Sequence, residues 1–157
     1  MEKYIQPFVK VCESVFQDFC KAEVKVGRVF FVARDNQDLD WDISGIIGLS
    51  GQISGAVSIS MKDLVAFKIT KNLTGVEHSS FDIDVIDAIG EIINIIAGNI
   101  KKDFEESFRT AISLPSIVQG KGHRIIWPSE RIRIICIPFS IFNEQEIFLS
   151  IAIEEKK

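Results

Sequence analysis

The side chains best suited to chemistry lie in the stretch from Asp82 to Ser107, which has the strongest helical period in the chain. On a wheel of about 100° per residue, Glu91, Asn94 and Gly98 fall within about 40° of Asp87, and apolar residues fill most of the remaining circumference. We call Asp87, Glu91, Asn94 and Gly98 the polar strip. A carboxamide can both donate to and accept from a water molecule, and a carboxylate one turn away can pair with a cation. The spacing therefore predicts a helix face that could orient water beside a charged group.

The alternative interpretation is that the polar strip is merely the solvated face of a helix that is buried on its other sides. Two residues favour a functional face. Asn94 has a poor helix propensity in mid-helix, where a solvated face usually carries long charged side chains. Gly98 also weakens the helix, but it removes side-chain bulk and would let another backbone approach closely.

The elements on either side must hold this helix in place. Before it, the periods predict a helix over 5–21, a first strand marked by Val24, Val26 and Val32, a hairpin of Ile43–Leu49 and Ile53–Ser60 joined at Ser50-Gly51, and a short helix of about Leu64–Leu73 closed by Gly75. After it, they predict a strand over Ile112–Val118, a turn at Gly120-Lys121-Gly122, and strands over Arg131–Ile141 and Ile147–Ile153 joined at Asn143-Glu144.

The order of elements divides the chain into two halves, each a helix followed by about three strands that end in a hairpin. Val57-Ser58-Ile59-Ser60 and Leu149-Ser150-Ile151-Ala152 occupy corresponding places in the two halves. This pattern predicts an α+β fold, a pseudo-repeated helix–strands layout with long helices packed on a mixed or antiparallel sheet. No linker interrupts the 157 residues, so we expect residues 1–157 to form a single domain.

Composition narrows the classes of function. The net charge of −4 and the scattered lysines do not form the basic stripe that nucleic-acid binding requires. The amino terminus lacks the pattern of a secretion signal, and no apolar run is long enough to span a membrane. The cysteines are odd in number and lack metal-ligand spacing, and Cys12 and Cys20 are expected to be small buried hydrophobes. These features predict a reduced, cytoplasmic setting.

The motif around the polar strip resembles that of a known family. The eight residues Asp87 to Asn94, Asp-Ala-Ile-Gly-Glu-Ile-Ile-Asn, fit the pattern D-x-x-x-E-x-x-N, Ala97-Gly98-Asn99 follow, and Pro115 comes about twenty residues later. This combination resembles the signature of the CheC/CheX/FliY phosphatases of bacterial chemotaxis. The order of helices and strands extends the resemblance over almost the whole chain.

Within this family, CheC and FliY look like two-site proteins and CheX like a one-site protein. The first helix here has Glu13, but Phe16 and Val9 stand where the asparagine and aspartate of a second motif would be required. The chain is therefore most similar to CheX. The spacing to Pro115 is slightly shorter than in the usual family pattern, which leaves the role of that proline open.

The resemblance implies a phosphatase that dephosphorylates the phosphoaspartate of a CheY-like response regulator in a two-component signalling circuit. Phosphoaspartate has a good leaving group and the regulator supplies its own lysine and Mg²⁺, so a positioned water is the missing part. We expect Asn94 to position that water and Glu91 to pair with the regulator's lysine. Asp87 is expected to support docking or to favour the positive end of the helix. Gly98 is expected to lie at the docking surface, and no metal or cofactor of the chain's own is implied.

The resemblance to CheX also implies a homodimer. The final strands are rich in Ile and Val, and apart from Pro138 they have few of the residues that protect a sheet edge. Pairing of this edge with a second copy would satisfy its backbone groups symmetrically. The polar strip would then stay exposed on the side away from the interface.

Other chemistry-bearing residues give weaker signals. His78 and His123 lie in loop-like segments with no third ligand in view, which disfavours a zinc site. Ser113 and Ser116 have no evident base, so a nucleophilic serine is not supported. Trp41 and Trp127 are interpreted as packing residues, because each lies next to a predicted strand.

Two further functions stay open on the sequence alone. The chain could be a non-catalytic CheC-like module that binds a response regulator or another signalling partner without turnover. It could also be a sensory domain with a ligand pocket between helices and sheet, although no convergent polar set marks such a pocket. The presence of both Glu91 and Asn94 favours the enzyme.

Overall fold

The structure is a computed structural model that describes residues 2–32, 39–105, 109–127 and 132–155. Within these ranges the helices are α1 (Ile5–Asp18), α2 (Asp63–Thr74) and α3 (Ile83–Glu105), and a single 3₁₀ turn, Glu2–Tyr4, leads into α1. The strands are β1 (Lys25–Val26), β2 (Phe30–Val32), β3 (Trp41–Gly51), β4 (Ile53–Met61), β5 (Thr110–Ile112), β6 (Ser116–His123), β7 (Ile134–Ile141) and β8 (Gln145–Glu155).

The described strands form one eight-stranded sheet in the order β1-β7-β8-β4-β3-β5, with β2 also on β7 and β6 also on β3. Every pairing is antiparallel. Helix α3 packs against β3, β5 and β6, while α1 and α2 pack against α3. The α+β fold with helices on an antiparallel sheet is therefore confirmed.

The pseudo-repeat is visible in the sheet. Hairpin β3–β4 and hairpin β7–β8 meet at the centre, where β4 pairs with β8 and Ser58 lies opposite Ser150. The short strands of each half pair with a long strand of the other half. Strands β1 and β2 from the first half pair with β7, and β5 and β6 from the second half pair with β3. The two halves thus build one continuous sheet with one shared core.

The core lies between the helices and the inner face of the sheet. Alternate residues of a strand point to the same face, so every second residue of β3 and β4 faces the helices. Ile43, Ile47 and Val57 on this face are fully buried. Gly45 lies on the same face, and a Cβ added there would come within 3.0 Å of Ile93 Cγ2. The glycine lets α3 approach β3 closely, and this contact fixes which side of α3 is turned away from the sheet.

Most predicted elements are confirmed, with small differences in their ends. The predicted first strand is divided into β1 and β2, and the predicted strand over Ile112–Val118 is interrupted between β5 and β6. Helix α2 ends at Thr74 and is closed by Gly75, which has φ of +73° and donates its N–H to the Lys71 carbonyl. The Asn143-Glu144 hairpin is also present, with positive φ at both residues. Residues 106 and 107, which the predicted long helix included, and residue 131, which the predicted strand over Arg131–Ile141 included, lie outside the described residues.

Two other predictions are wrong. Gly120, Lys121 and Gly122 do not make a turn but continue β6, where the pairing with β3 shifts register between Trp41 and Ile43. The positive φ of both glycines accommodates this irregularity inside the strand. The final strands are not a sheet edge either, because β7 is covered by β1 and β2 and β8 lies between β7 and β4.

Candidate functional site

The first turn of α3 is fixed by two side chains that precede it. The Asp82 carboxylate accepts the Val85 N–H at 3.1 Å and the His78 Nδ1–H at 2.8 Å. The other imidazole nitrogen of His78 lies 3.1 Å from Thr74 Oγ1, at the end of α2. The hydrogen bond from His78, followed by the one from Val85, lowers the pKa of the Asp82 carboxyl below its ordinary value. The start of α3 is therefore tied to the end of α2.

The polar strip lies on the outer side of α3, as the period predicts. Asp87, Glu91 and Asn94 are exposed and Gly98 is half-buried. The opposite side of the helix is fully buried through Ile89, Ile92, Ile93 and Ile96. Burial of those isoleucines fixes how α3 is rotated about its axis. The carboxylates of Asp87 and Glu91 and the carboxamide of Asn94 therefore face solvent together.

The Glu91 and Asn94 side chains have no hydrogen-bond or ionic partner among the residues that the structure describes. A carboxamide left free in this way can orient a water molecule, and the neighbouring carboxylate can receive a cationic side chain from another protein. A Cβ added at Gly98 would meet nothing within 4 Å, so the space above this residue is open. Asp87, Glu91 and Asn94 are therefore accessible from solvent.

Pro115 lies directly beside the strip. A Cβ added at Gly90 would be 4.0 Å from Pro115 Cγ and 3.8 Å from Ile117 Cδ1, so the β5–β6 connection packs over the residue that precedes Glu91. This connection is itself anchored, because the Gly48 N–H donates to Ser113 Oγ at 2.9 Å and the Ser113 N–H donates to the Gly48 carbonyl at 2.9 Å. The structure thus gives Pro115 a place at the border of the strip.

The equivalent face of α1 offers no second pair. Phe16 and Val9 are buried in the core, and Glu13 is exposed without an asparagine one turn away. The two residues that stand in place of the motif's asparagine and aspartate in the first half, Phe16 and Val9, are thus core residues.

His78 has more neighbours than the sequence suggested. Ligand atoms of His78, Asp82 and Asp84 lie within 4.8 Å of one another, so the expectation that no third ligand is near His78 is wrong. Both nitrogens of His78 are already hydrogen-bonded, and a metal ion would have to replace one of those bonds. The cluster explains how α3 is capped and supports no catalytic role by itself.

A serine–histidine contact escaped the sequence analysis, because its members are 79 residues apart. Ser44 Oγ lies 2.8 Å from His123 Nε2 and 2.7 Å from Ser60 Oγ, and His123 Nδ1–H donates to the Gly120 carbonyl. Ser44 is fully buried on the sheet, so a substrate cannot reach its hydroxyl. The contact is structural, and Ser113 has its hydroxyl engaged at Gly48 and Leu114 instead of beside a base.

The cysteines are buried and free, as expected for small hydrophobes. Burial raises the pKa of Cys20 and of Cys136 to about 12, which removes them as nucleophiles near neutral pH. Trp41 packs on Phe148 with ring centroids 4.6 Å apart, which confirms its packing role.

An open cleft of about 300 Å³ lies between α2 and the β7–β8 hairpin, where a sensory domain would hold a ligand. Its charged groups include Lys62 and Asp40, which are paired with each other at 2.8 Å. The carboxylates of Glu144 and Glu146 also line the cleft, so its charge is negative on balance.

Comparison with known proteins gives the family. The family model described as chemotaxis phosphatase CheX matches residues 43–140. The CheY-P phosphatase CheX of Thermotoga maritima is 26% identical over 143 residues, which cover 90% of this chain and 89% of that protein. In the part of the chain that the structure describes, no helix is long and apolar enough to cross a membrane.

Solved structures agree with this match. The crystal structure of the chemotaxis protein CheX from Vibrio vulnificus is similar with a TM-score of 0.87 and 30% identity, over 97% of this chain and 99% of that one. The CheX of a CheX–CheY–BeF₃–Mg²⁺ complex from Borrelia burgdorferi is similar with a TM-score of 0.80 and 26% identity, over 97% and 98% of the two chains. Because the family model covers more than half of the residues and the fold agrees over nearly all of them, the chain belongs to the chemotaxis phosphatase CheX family.

Proposed function

We propose that this chain removes the phosphoryl group from the phosphoaspartate of a CheY-like response regulator, with Asn94 and Glu91 as the residues that act on it. The observation that carries the proposal is the exposed pair of Glu91 and Asn94, which has no partner among the described residues and lies on one face of a helix that is buried on its other side. Such a face can enter the active site of another protein. Membership of the CheX family supports the same activity.

In the proposed reaction, the oxygen of a water molecule attacks phosphorus in line with the bond to the aspartyl oxygen. That bond breaks and the aspartate leaves as a carboxylate. The water's oxygen becomes the fourth oxygen of inorganic phosphate, which first carries both of the water's protons and can then release one to solvent. The Asn94 carboxamide accepts from and donates to the water, and it is neutral, so it does not repel the phosphoryl oxygens. Asn94 thereby reduces the entropy cost of bringing water into line.

Glu91 is assigned to docking and orientation. A carboxylate beside a phosphoryl group would be repelled unless it pairs with a cation, and the lysine of the regulator's active site is such a cation. Asp87, one turn nearer the amino end, lies on the same face and adds negative charge for the same partner. Gly98 leaves room for the regulator's backbone at the other end of the strip.

The Mg²⁺ for the reaction is proposed to come with the regulator. The Borrelia burgdorferi complex contains CheY, BeF₃ and Mg²⁺ together with CheX, which supports a metal that arrives with the phosphorylated partner. The strip's two carboxylates and one carboxamide are too few oxygen ligands to hold Mg²⁺ without others.

A homodimer is also proposed. Its interface is placed at the free edge of β6, because the final strands β7 and β8 lie inside the sheet. Strand β6 pairs with β3 on one side, and no strand of the described residues pairs with its other side. Val118 on β6 is exposed, so this edge has an apolar side chain that a second copy could cover. Light scattering at micromolar concentration should give twice the monomer mass, and a monomer would contradict the proposal.

Two coarser proposals complete the assignment. Residues 1–157 are proposed to be a single domain, supported by the one sheet that both halves share. The protein is proposed to work in the cytoplasm, where CheY-like regulators act and where free cysteines are common.

The test is to mix the purified chain with phosphorylated CheY-like regulators from the same genome and to follow the release of inorganic phosphate. Catalytic amounts of the chain should accelerate phosphate loss from at least one regulator. Stoichiometric binding without acceleration would show a non-catalytic binding module instead, and the activity would then be rejected.

A further inference from the structure

Leu114 is the most exposed of the large apolar side chains that the structure describes, at 86%. It is also held in place. The Ser113 hydroxyl accepts the Gly48 N–H and donates to the Leu114 carbonyl at 2.8 Å, and Pro115 follows with its fixed φ. A leucine on a flexible loop could fold back onto the surface, but this backbone is bonded to the edge of the sheet and keeps the side chain in water.

Leu114 lies at the border of the polar strip. The next residue, Pro115, packs over Gly90, and Gly90 directly precedes Glu91. The strip has a second exposed apolar residue at its amino end, because Ile83 lies one turn before Asp87 on nearly the same line of α3 and is 67% exposed. The strip thus has one exposed apolar residue at its amino end and another on the connection that packs beside it.

We propose that Leu114 and Ile83 form an apolar docking surface for the response regulator, which contacts them with apolar side chains beside its phosphorylated aspartate. This inference rests on the proposed function. A regulator whose phosphoryl group reaches Asn94 must cover the neighbouring surface, since a specific interface buries on the order of 800 Å² on each partner. Asp87 and Glu91 provide charge for the regulator's lysine, but they provide little apolar area.

In this proposal the polar strip acts in the reaction, and Leu114 and Ile83 act only in binding the regulator. Leu114 and Ile83 do not touch the reacting atoms, so they stabilise the bound regulator equally before and during the reaction. Loss of such uniform binding raises KM and leaves kcat unchanged, whereas loss of the Asn94 carboxamide lowers kcat.

The experiment measures initial rates of phosphate release against regulator concentration, for the regulator on which the wild-type chain turns over fastest. The regulator is phosphorylated with acetyl phosphate and Mg²⁺ and then desalted. Variants are Leu114→Ser and Ile83→Ser, with Leu64→Ser as the matched control, because Leu64 is 60% exposed at the start of α2 and lies off the strip. Leu114→Ser should raise KM roughly five- to tenfold, Ile83→Ser should raise it by a smaller factor, and kcat should stay within twofold.

The outcomes separate this inference from the function on which it rests. If Asn94→Ala lowers kcat while both apolar variants keep the wild-type KM, the docking surface is wrong and the function stands. If the wild-type chain has no activity, the function itself fails. If light scattering shows that Leu114→Ser, but not Leu64→Ser, turns a dimer into a monomer, the surface belongs to a second copy of the chain and the proposal is overturned.

Discussion

The ring of Pro115 packs against α3 at Gly90, at a distance that would leave 4.0 Å between its Cγ and a Cβ added to the glycine. This contact places the β5–β6 connection beside the residue that precedes Glu91. The proline's position in sequence did not reveal this role, because the spacing from Asn94 states nothing about which turn of the helix it meets. The predictions below use this arrangement of α3 and its neighbours.

Replacement of Asn94 by alanine should lower kcat for regulator dephosphorylation by roughly a hundredfold or more, because the attacking water loses its positioning group. The fold should be unchanged, since the side chain is exposed and has no partner among the described residues. Asn99→Ala on the same helix, about 140° away on the wheel, is the control and should keep full activity. Near-normal turnover by Asn94→Ala would contradict the assignment.

Glu91→Ala should weaken association with the phosphorylated regulator more than it slows the chemical step. Glu91→Gln keeps the shape but removes the charge, so it should weaken association to a similar degree if a lysine is the partner. Binding can be measured by calorimetry with the regulator loaded with beryllofluoride and Mg²⁺. An affinity equal to that of the wild type in both variants would argue against the docking role.

Gly98→Ala and Gly90→Ala should separate helix stability from docking. Each removes a helical glycine, so each should raise the free energy of unfolding by up to about 1 kcal/mol. A Cβ at position 90 makes only ordinary contacts and a Cβ at position 98 meets nothing within 4 Å, so neither strains the fold. Only Gly98→Ala should raise KM, because only that position is assigned to the regulator's approach. An equal KM in both variants would show that Gly98 is not part of the docking surface.

The hydrogen bond from His78 should make Asp82 a source of stability that depends on pH. The pKa of Asp82 is lowered in the folded state, so its contribution is fully present above the ordinary carboxyl range and is lost as pH falls below about 4. Asp82→Asn should therefore destabilise the protein most at neutral pH, and the difference from wild type should shrink on acidification. Urea unfolding at pH 7, 5 and 3 measures this, with Asp84→Asn as a control that removes a neighbouring carboxylate. A difference that does not change with pH would contradict the role of Asp82.

Mg²⁺ should bind to the regulator and not to this chain. Calorimetric titration of the isolated chain with Mg²⁺ should show no tight binding, because the strip offers too few oxygen ligands. The Mg²⁺ dependence of phosphate release should follow the occupancy of the regulator. Tight binding that disappears in Asp84→Asn would instead place a metal at the His78 cluster.

The helices and hairpins could be predicted because their signals are local. Apolar residues at helical spacing define which side of α3 is buried, and the same spacing brings Asp87, Glu91 and Asn94 to the other side. Gly75 and Asn143 occupy positive-φ positions that few other residues tolerate, so they mark ends of elements in the sequence itself.

The failures in the fold involve partners that are distant in sequence. Gly120 and Gly122 are residues typical of a turn, but here they lie in strand β6, which pairs with β3, and form an irregular part of it. The final strands look like an edge until β1 and β2, from the first half, are added to β7. The exposure of Leu114 depends on the hydrogen bonds between Ser113 and Gly48, 65 residues apart, and no local pattern contains that information.

The exchange of short strands between the two halves has a consequence for how the chain folds. The Ser140 hydroxyl contacts the Lys25 carbonyl across 115 residues, so β1 cannot dock until nearly the whole chain has been synthesised. Such long loops are entropically costly to close, and sheets rich in them form in milliseconds to seconds. Neither half can complete its own sheet, so the two halves form a single folding unit. Fragments cut between α2 and α3 should remain unstructured apart and regain the fold only when combined.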